Sequence, residues 1–67
     1  MILKYNTDAD ALYIKLKDTK VHHTKEIEKN VIFDYDKNGD IHGIEILFVR
    51  ENFPEVLKKI KEKEIVA

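Results

Sequence analysis

Three carboxylates between positions 34 and 45 have the spacing of a calcium-binding loop. The EF-hand loop of twelve residues has oxygen ligands at positions 1, 3 and 5, glycine at 6 and glutamate at 12. The chain matches this pattern as Asp34-x-Asp36-x-Asn38-Gly39-x-Ile41-x-x-x-Glu45. Asp34, Asp36 and Glu45 are therefore the candidate metal ligands, and Ca²⁺ or Mg²⁺ is the candidate cofactor.

The residues around this loop do not have the pattern of EF-hand helices. β-branched runs flank it on both sides, and Gly43 falls inside the segment that would have to be the exit helix. We therefore interpret the match as a coincidence of hairpin chemistry and expect no bound cofactor. Weak cation binding by Asp34 and Asp36, which would share one strand face near the turn, is the alternative.

Three histidines and a pair of aspartates could also take part in chemistry. Adjacent residues of a strand point to opposite faces, so we do not expect His22 and His23 to ligate one ion together. His42 is expected opposite Tyr35, as a polar end to the apolar face of the sheet. Asp8 and Asp10 are expected to have turn and cap roles, and general acid–base chemistry by this carboxylate pair is the alternative.

Enzymatic function and catalytic residues are not expected. The chain of 67 residues has no Cys, and it also lacks serine and a glycine-rich phosphate loop. Without cysteine there is no disulfide framework, which together with the absence of a long apolar run favours a cytoplasmic protein. The abundance of lysine and glutamate is typical of thermophiles, and an AT-rich genome gives much the same bias.

The charge balance argues against nucleic acid and membrane partners. Twelve basic residues offset thirteen acidic ones, for a net charge of −1, whereas phosphate binding normally needs a basic face. An outer strand face carrying Tyr13, Lys15 and Lys17 is the alternative surface for single-stranded RNA. A domain this small has a marginal core, which makes a homo-oligomer or a small protein partner the expected arrangement.

Turn residues recur about every ten positions, which predicts a series of short strands. Residues 2–5 and 11–17 are candidate strands, and in the second one Leu12, Ile14 and Leu16 share a face. Residues 21–28 carry charge or imidazole at most positions, which indicates an exposed edge strand or an extended connector.

The strongest hairpin signal is Asn38-Gly39, between the strands predicted at residues 31–37 and 40–48. We predict a two-residue type I′ turn there, which requires positive φ at both positions. Such a turn fixes the register, pairing Lys37 with Asp40, Tyr35 with His42, Phe33 with Ile44 and Val31 with Ile46. The last two pairs form one apolar surface, so burial and turn chemistry agree.

A helix is predicted over residues 53–63. Asn52 and Glu55 have the spacing of a capping pair, and Pro54 would occupy the first turn. An apolar stripe at helical spacing is expected to pack on the sheet and consists of Phe53, Val56, Leu57 and Ile60.

Two separated motifs resemble the small prokaryotic family known as domain of unknown function 2283. They are Tyr5-Asn6-x-x-Ala9-Asp10-Ala11-Leu12-Tyr13-Ile14-x-Leu16, and, after Glu26-Ile27, Val31-Ile32-Phe33-Asp34-Tyr35-Asp36-x-x-Gly39-x-Ile41-x-Gly43-Ile44-Glu45-Ile46-Leu47. The resemblance covers residues 1 to about 48, and Asn6 departs from the aspartate of the family's Tyr-Asp start. It implies no established activity, substrate or cofactor. Because some members are encoded beside small toxin-like proteins, it also implies an antitoxin-like or accessory role.

Together these patterns predict one α+β domain over residues 1–67, with an antiparallel meander of four or five strands at about 1–48 and one C-terminal helix on its apolar face. We expect that face to consist of Leu12, Ile14, Leu16, Val31, Phe33, Ile44 and Ile46. The functional hypothesis is a protein-interaction module that uses the strand edge at 21–28 or a sheet face. The alternative is a divalent-cation-binding or hydrolytic domain at the Asp-rich hairpin.

Overall fold

The computed structural model describes residues 1–63, with side chains up to residue 59. Its five strands form one antiparallel sheet in the order β1-β2-β5-β4-β3, and two short helices follow, so the α+β fold is confirmed. Only β3, β4 and β5 form a continuous meander, because the connection from β2 to β3 carries the chain to the opposite edge. The elements are β1 (Ile2–Asn6), β2 (Ala11–Lys15), β3 (His23–Glu28), β4 (Val31–Tyr35), β5 (Ile41–Leu47), α1 (Val49–Asn52) and α2 (Pro54–Lys63).

The predicted register of the β4–β5 hairpin is confirmed at the end of the strands that lies away from the turn. Val31 pairs with Ile46 and Phe33 with Ile44. On the neighbouring strand, Leu12 pairs with Ile46 and Ile14 with Ile44. One sheet face is therefore apolar across β2, β5 and β4, as the alternation predicted.

The predicted type I′ turn is wrong, and so is the pairing of Tyr35 with His42. Gly39 has positive φ, at 86°, and Asn38 does not. The Gly39 amide donates to the Asp36 carbonyl at 3.1 Å, and the Asp36 amide donates to the Asp40 carbonyl at 2.9 Å. These hydrogen bonds close a loop of three residues, which has the pattern of a type I turn followed by a left-handed glycine. The longer loop shifts the register by one residue, so Tyr35 pairs with Ile41 and a bulge forms at this end of β5.

The C-terminal segment contains two helices where one was predicted. Asn52 is the last residue of α1, so it does not cap α2. Phe53 separates the two helices with φ of −137°, as expected for a residue that precedes proline. Its carbonyl accepts hydrogen bonds from the amides of Val56 (3.1 Å) and Leu57 (3.3 Å), so Phe53 is the N-cap residue of α2.

Helix packing buries only part of the apolar face. Leu12, Val49 and Leu57 form the buried cluster, against which Leu3, Tyr5, Ile14 and Ile46 pack. In the predicted helical stripe, Phe53 and Val56 are exposed, so the expectation that they pack on the sheet is wrong. The side chain of Ile60 lies outside the described residues.

Candidate functional site

The outer face of the sheet carries a hydrogen-bond network centred on Asp34. The Tyr13 hydroxyl donates to Asp34 Oδ2 at 2.8 Å, and the Thr24 hydroxyl donates to Asp34 Oδ1 at 2.7 Å. Tyr13 lies on β2 and Asp34 on β4, so the phenol reaches across the whole of β5. The network therefore joins three of the five strands, β2, β4 and β3, by side chains and passes over a fourth, β5.

Gly43 provides the space that this crossing requires. It lies on β5 between Asp34 and Lys15, its two cross-strand partners. A Cβ atom at this position would lie 2.7 Å from Tyr13 Cζ and 3.0 Å from the backbone oxygen of Ile14. A side chain larger than hydrogen is thus incompatible with the position of the Tyr13 ring.

The electrostatic surroundings keep the Tyr13 hydroxyl protonated. Burial, the hydrogen bond to Asp34 and the negative charges of Asp34 and Glu45 raise the pKa of Tyr13 to about 12. At neutral pH this phenol is a hydrogen-bond donor and cannot serve as a general base. The arrangement therefore links β2 to β4 through a donating phenol and an accepting carboxylate.

The three carboxylates of the sequence-predicted metal site are held in different ways. Asp34 accepts from two hydroxyls on the outer face. Asp36 is buried, and its Oδ1 accepts from the amides of Asn38 (2.9 Å) and Asp40 (3.0 Å). Glu45 pairs with Tyr13 on the neighbouring strand. Within residues 1–59 no three acidic, histidine or cysteine side chains are grouped as metal ligands.

His42 is buried beside the hairpin loop, and its partner is Thr19. The Thr19 Oγ1 lies 3.0 Å from His42 Nδ1, whereas the sequence had suggested Tyr35. The bulge in β5 is the physical reason, because it removes His42 from the position opposite Tyr35. The His42 carbonyl accepts from the amides of Leu16 (2.8 Å) and Lys17 (3.2 Å), which ties the end of β2 to β5.

Asp10 connects the first hairpin to the start of α1. Its backbone oxygen accepts from the Val49 amide at 3.2 Å, and its carboxylate accepts from the Arg50 amide at 3.0 Å. The Tyr5 hydroxyl donates to the same carboxylate at 2.6 Å. This hydrogen bond, together with those from Arg50 and its positive charge, lowers the pKa of Asp10 below its ordinary value of 3.8 against the effect of burial. Asp10 thus also caps the start of α1, although Arg50 lies 40 residues further along the chain.

The side chains of His22 and His23 lie close together, although strand alternation would place them on opposite faces. Their Nδ1 atoms are 3.2 Å apart and both residues are exposed. Alternation does not separate them because β3 begins at His23, and His22 belongs to the preceding connection. The ring of His23 stacks on that of Tyr35 with centroids 4.8 Å apart and an interplanar angle of 11°.

Among the described residues, part of the apolar sheet face lies outside the buried cluster. We define this open half as Leu16, Val31, Phe33 and Ile44. None of these four belongs to the buried cluster or to the residues that pack against it in the described part of the chain. Val31, Phe33 and Ile44 are half-buried, and Leu16 is 43% exposed just past the end of β2. The open half is thus an apolar surface that the described residues leave partly exposed.

The edge strand β3 is a second candidate surface. All six of its residues are exposed, as predicted for an edge. Its pairing with β4 is interrupted by a bulge between Glu26 and Glu28, and Lys25 and Glu26 carry charge at its centre. Charges and bulges are the devices by which edge strands avoid uncontrolled pairing.

Comparison with known proteins gives a match to a protein family. The family model described as Protein of unknown function (DUF2283) matches residues 2–50, which confirms the resemblance seen in the sequence. No curated protein matches, and neither does any solved structure. None of the helices in the described residues is both long enough and apolar enough to span a membrane.

Proposed function

We propose that this chain, which belongs to the DUF2283 family of proteins of unknown function, is a protein-interaction module whose binding surface is the open half of its apolar sheet face. The observation that carries the proposal is the incomplete packing of that face. Three of its residues are apolar, as core residues are, yet they remain only half-buried: Val31, Phe33 and Ile44. A partner that covers them removes further apolar area from water, at about 25 cal/mol per Å².

The partner that we propose first is a second copy of this chain. Two apolar sheet faces pack against each other readily in a sandwich. The net charge of −1 means that two copies repel each other little. The small size of the buried cluster gives the chain a stability gain from association.

We propose the sheet face in preference to the β3 edge because of the charges along that edge. A two-fold axis through the middle of two paired β3 strands sets Lys25 opposite its own copy, or Glu26 opposite its own copy. Like charges directly opposite each other destabilise a strand pair. The edge is therefore poorly suited to self-pairing.

Three substitutions of equally exposed residues distinguish the possible surfaces. Leu16 is 43% exposed at the open half, whereas Ile27 on β3 and Val56 on α2 are each 42% exposed. We expect Leu16→Glu to weaken self-association by about 30-fold or more, since it buries an unpaired carboxylate worth roughly 2 kcal/mol. Sedimentation equilibrium over a concentration series measures the effect.

Ile27→Glu and Val56→Glu are the matched controls and should leave the dimer unchanged. Their comparable exposure makes their direct cost to folding comparable, which circular dichroism checks. Loss of association in Ile27→Glu alone would move the interface to the edge strand. A wild-type chain that stays monomeric at millimolar concentration would refute the self-association proposal.

A finer proposal is that a small accessory protein takes the place of the second copy on this surface, in an antitoxin-like role. The support for it is the apolar character of the open half, which suits a helix or a sheet face of another small protein. Co-expression with the product of the neighbouring gene tests it. A stoichiometric complex that Leu16→Glu disrupts supports the role, and two separately purifying proteins contradict it.

Cation binding at Asp34, Asp36 and Glu45 remains the alternative prediction from the sequence. If these residues bind Ca²⁺ or Mg²⁺ in the native state, either ion must raise the melting temperature relative to EDTA by mass action. Asp36→Asn should then abolish the difference without unfolding the chain. Identical melting curves with Ca²⁺, Mg²⁺ and EDTA would eliminate this alternative.

A further inference from the structure

The two adjacent histidines before and at the start of β3 have a geometry suited to metal binding. Their Nδ1 atoms are 3.2 Å apart, and the two rings meet edge to face at 88°. The His22 amide donates to the Tyr35 carbonyl at 2.7 Å, which fixes its backbone to β4. Stacking on Tyr35 orients the ring of His23. Both imidazoles are thus presented to solvent from a defined backbone.

We propose that His22 and His23 together bind a late first-row divalent cation, of which Cu²⁺, Ni²⁺ and Zn²⁺ are the representatives. Metal–imidazole bonds of about 2.0–2.1 Å set two neighbouring ligand nitrogens about 2.9–3.4 Å apart in square-planar or tetrahedral coordination. The observed Nδ1 separation of 3.2 Å lies inside this interval. The rings already have the spacing that one shared ion requires.

The chemistry of the donors selects these cations over calcium and magnesium. Imidazole nitrogen suits copper, nickel and zinc, whereas Ca²⁺ and Mg²⁺ prefer oxygen. In the absence of metal, one Nδ1 proton can lie between the two nitrogens as a hydrogen bond. When the cation binds, the ring that carries the Nδ1 proton changes to its other neutral tautomer, so each ring then has its single proton on Nε2 and both Nδ1 lone pairs face the cation. This site is separate from the Asp-rich hairpin motif and does not depend on the proposed interaction surface.

Two protein ligands leave coordination positions open. Because both residues are exposed, water can fill these positions. Binding through two linked groups is tighter than binding through either alone, since the second bond forms at a high effective concentration. Each histidine should therefore be necessary for the full affinity.

The test is isothermal titration of the untagged chain with Cu²⁺, Ni²⁺ or Zn²⁺, and with Ca²⁺ and Mg²⁺ as control ions. We expect one cation per chain, with Cu²⁺ bound most tightly. The affinity should fall by about tenfold or more in both His22→Ala and His23→Ala. Lys25→Ala is the matched control on β3 and should bind as the wild type does.

Two results would overturn the proposal. One is an unchanged affinity in either histidine variant, which would indicate a single adventitious ligand or a site elsewhere. The other is an affinity for Ca²⁺ equal to the affinity for Cu²⁺, Ni²⁺ or Zn²⁺. Circular dichroism of the metal-free variants separates loss of ligands from loss of fold, and because both side chains are exposed we expect unchanged spectra.

Discussion

Replacing Gly43 by alanine should lower the free energy of unfolding by about 3 kcal/mol. The added Cβ meets the Tyr13 ring at 2.7 Å and the Ile14 carbonyl at 3.0 Å. The ring must therefore move, and its hydrogen bond to Asp34 is lost on the outer face of the sheet. Urea denaturation followed by circular dichroism measures the change.

A double-mutant cycle with Tyr13→Ala tests this explanation. If most of the steric clash is between the methyl group added at position 43 and the Tyr13 ring, the double variant should be more stable than the sum of the two single effects predicts. The remaining contact with Ile14 is with backbone, so the rescue should be partial. Strictly additive effects would show that Gly43 and Tyr13 act independently and would contradict the account.

Asp10→Ala should lower the melting temperature by about 5 °C or more. The substitution removes the carboxylate that accepts from the Arg50 amide at the start of α1, and it leaves the Tyr5 hydroxyl without its acceptor. It also puts alanine at a residue with φ of 53°, a conformation that aspartate tolerates better. Since α1 carries Val49 of the buried cluster, the effect should extend beyond the helix end.

Asp8→Ala is the control, because Asp8 lies in the same turn and is exposed. The pH dependence provides a second check. The pKa of Asp10 is lowered in the folded state, so its contribution is present above the unfolded value and is lost as the pH falls through the lower folded value. The difference in melting temperature between wild type and Asp10→Ala should therefore shrink below about pH 4. A difference that stays constant in acid would contradict the capping role.

The alternation of side chains was sufficient to predict the sheet pairing far from the turn. Phe33 pairs with Ile44, and Val31 pairs with Ile46, as expected. A shift of one residue would have turned these apolar side chains to the other face of the sheet. The conformation of the turn depends instead on hydrogen bonds to one side chain. The buried carboxylate of Asp36 accepts two amides of the loop, which favours a type I turn with one left-handed residue over the two-residue turn that Asn-Gly suggests.

Contacts between distant residues were beyond sequence patterns. Nothing in the spacing of Asp10 and Arg50 indicates that one caps the helix of the other, since the contact spans 40 residues. The break between α1 and α2 could have been anticipated, because Pro54 disfavours a helical conformation at Phe53. The proximity of His22 and His23 depended on where β3 begins, and strand boundaries are the least certain feature of a sequence pattern.

Several residues that carry the family resemblance have roles in the fold. Tyr5 and Asp10 anchor α1, Tyr13 and Asp34 bridge the sheet over Gly43, and Asp36 closes the hairpin loop. These contacts give several residues of both motifs a structural role. The binding surface that we propose consists of other side chains, and Phe33 is central to it.

The central claim is that the open half of the sheet face binds another protein chain, and native mass spectrometry of the wild type beside Leu16→Glu tests it most directly. The proposal predicts a species with the mass of two chains, or a stoichiometric complex with one small partner, that is lost in Leu16→Glu and retained in Val56→Glu. A single-chain mass for all three proteins across the concentration range, with or without the co-expressed neighbour, would contradict it.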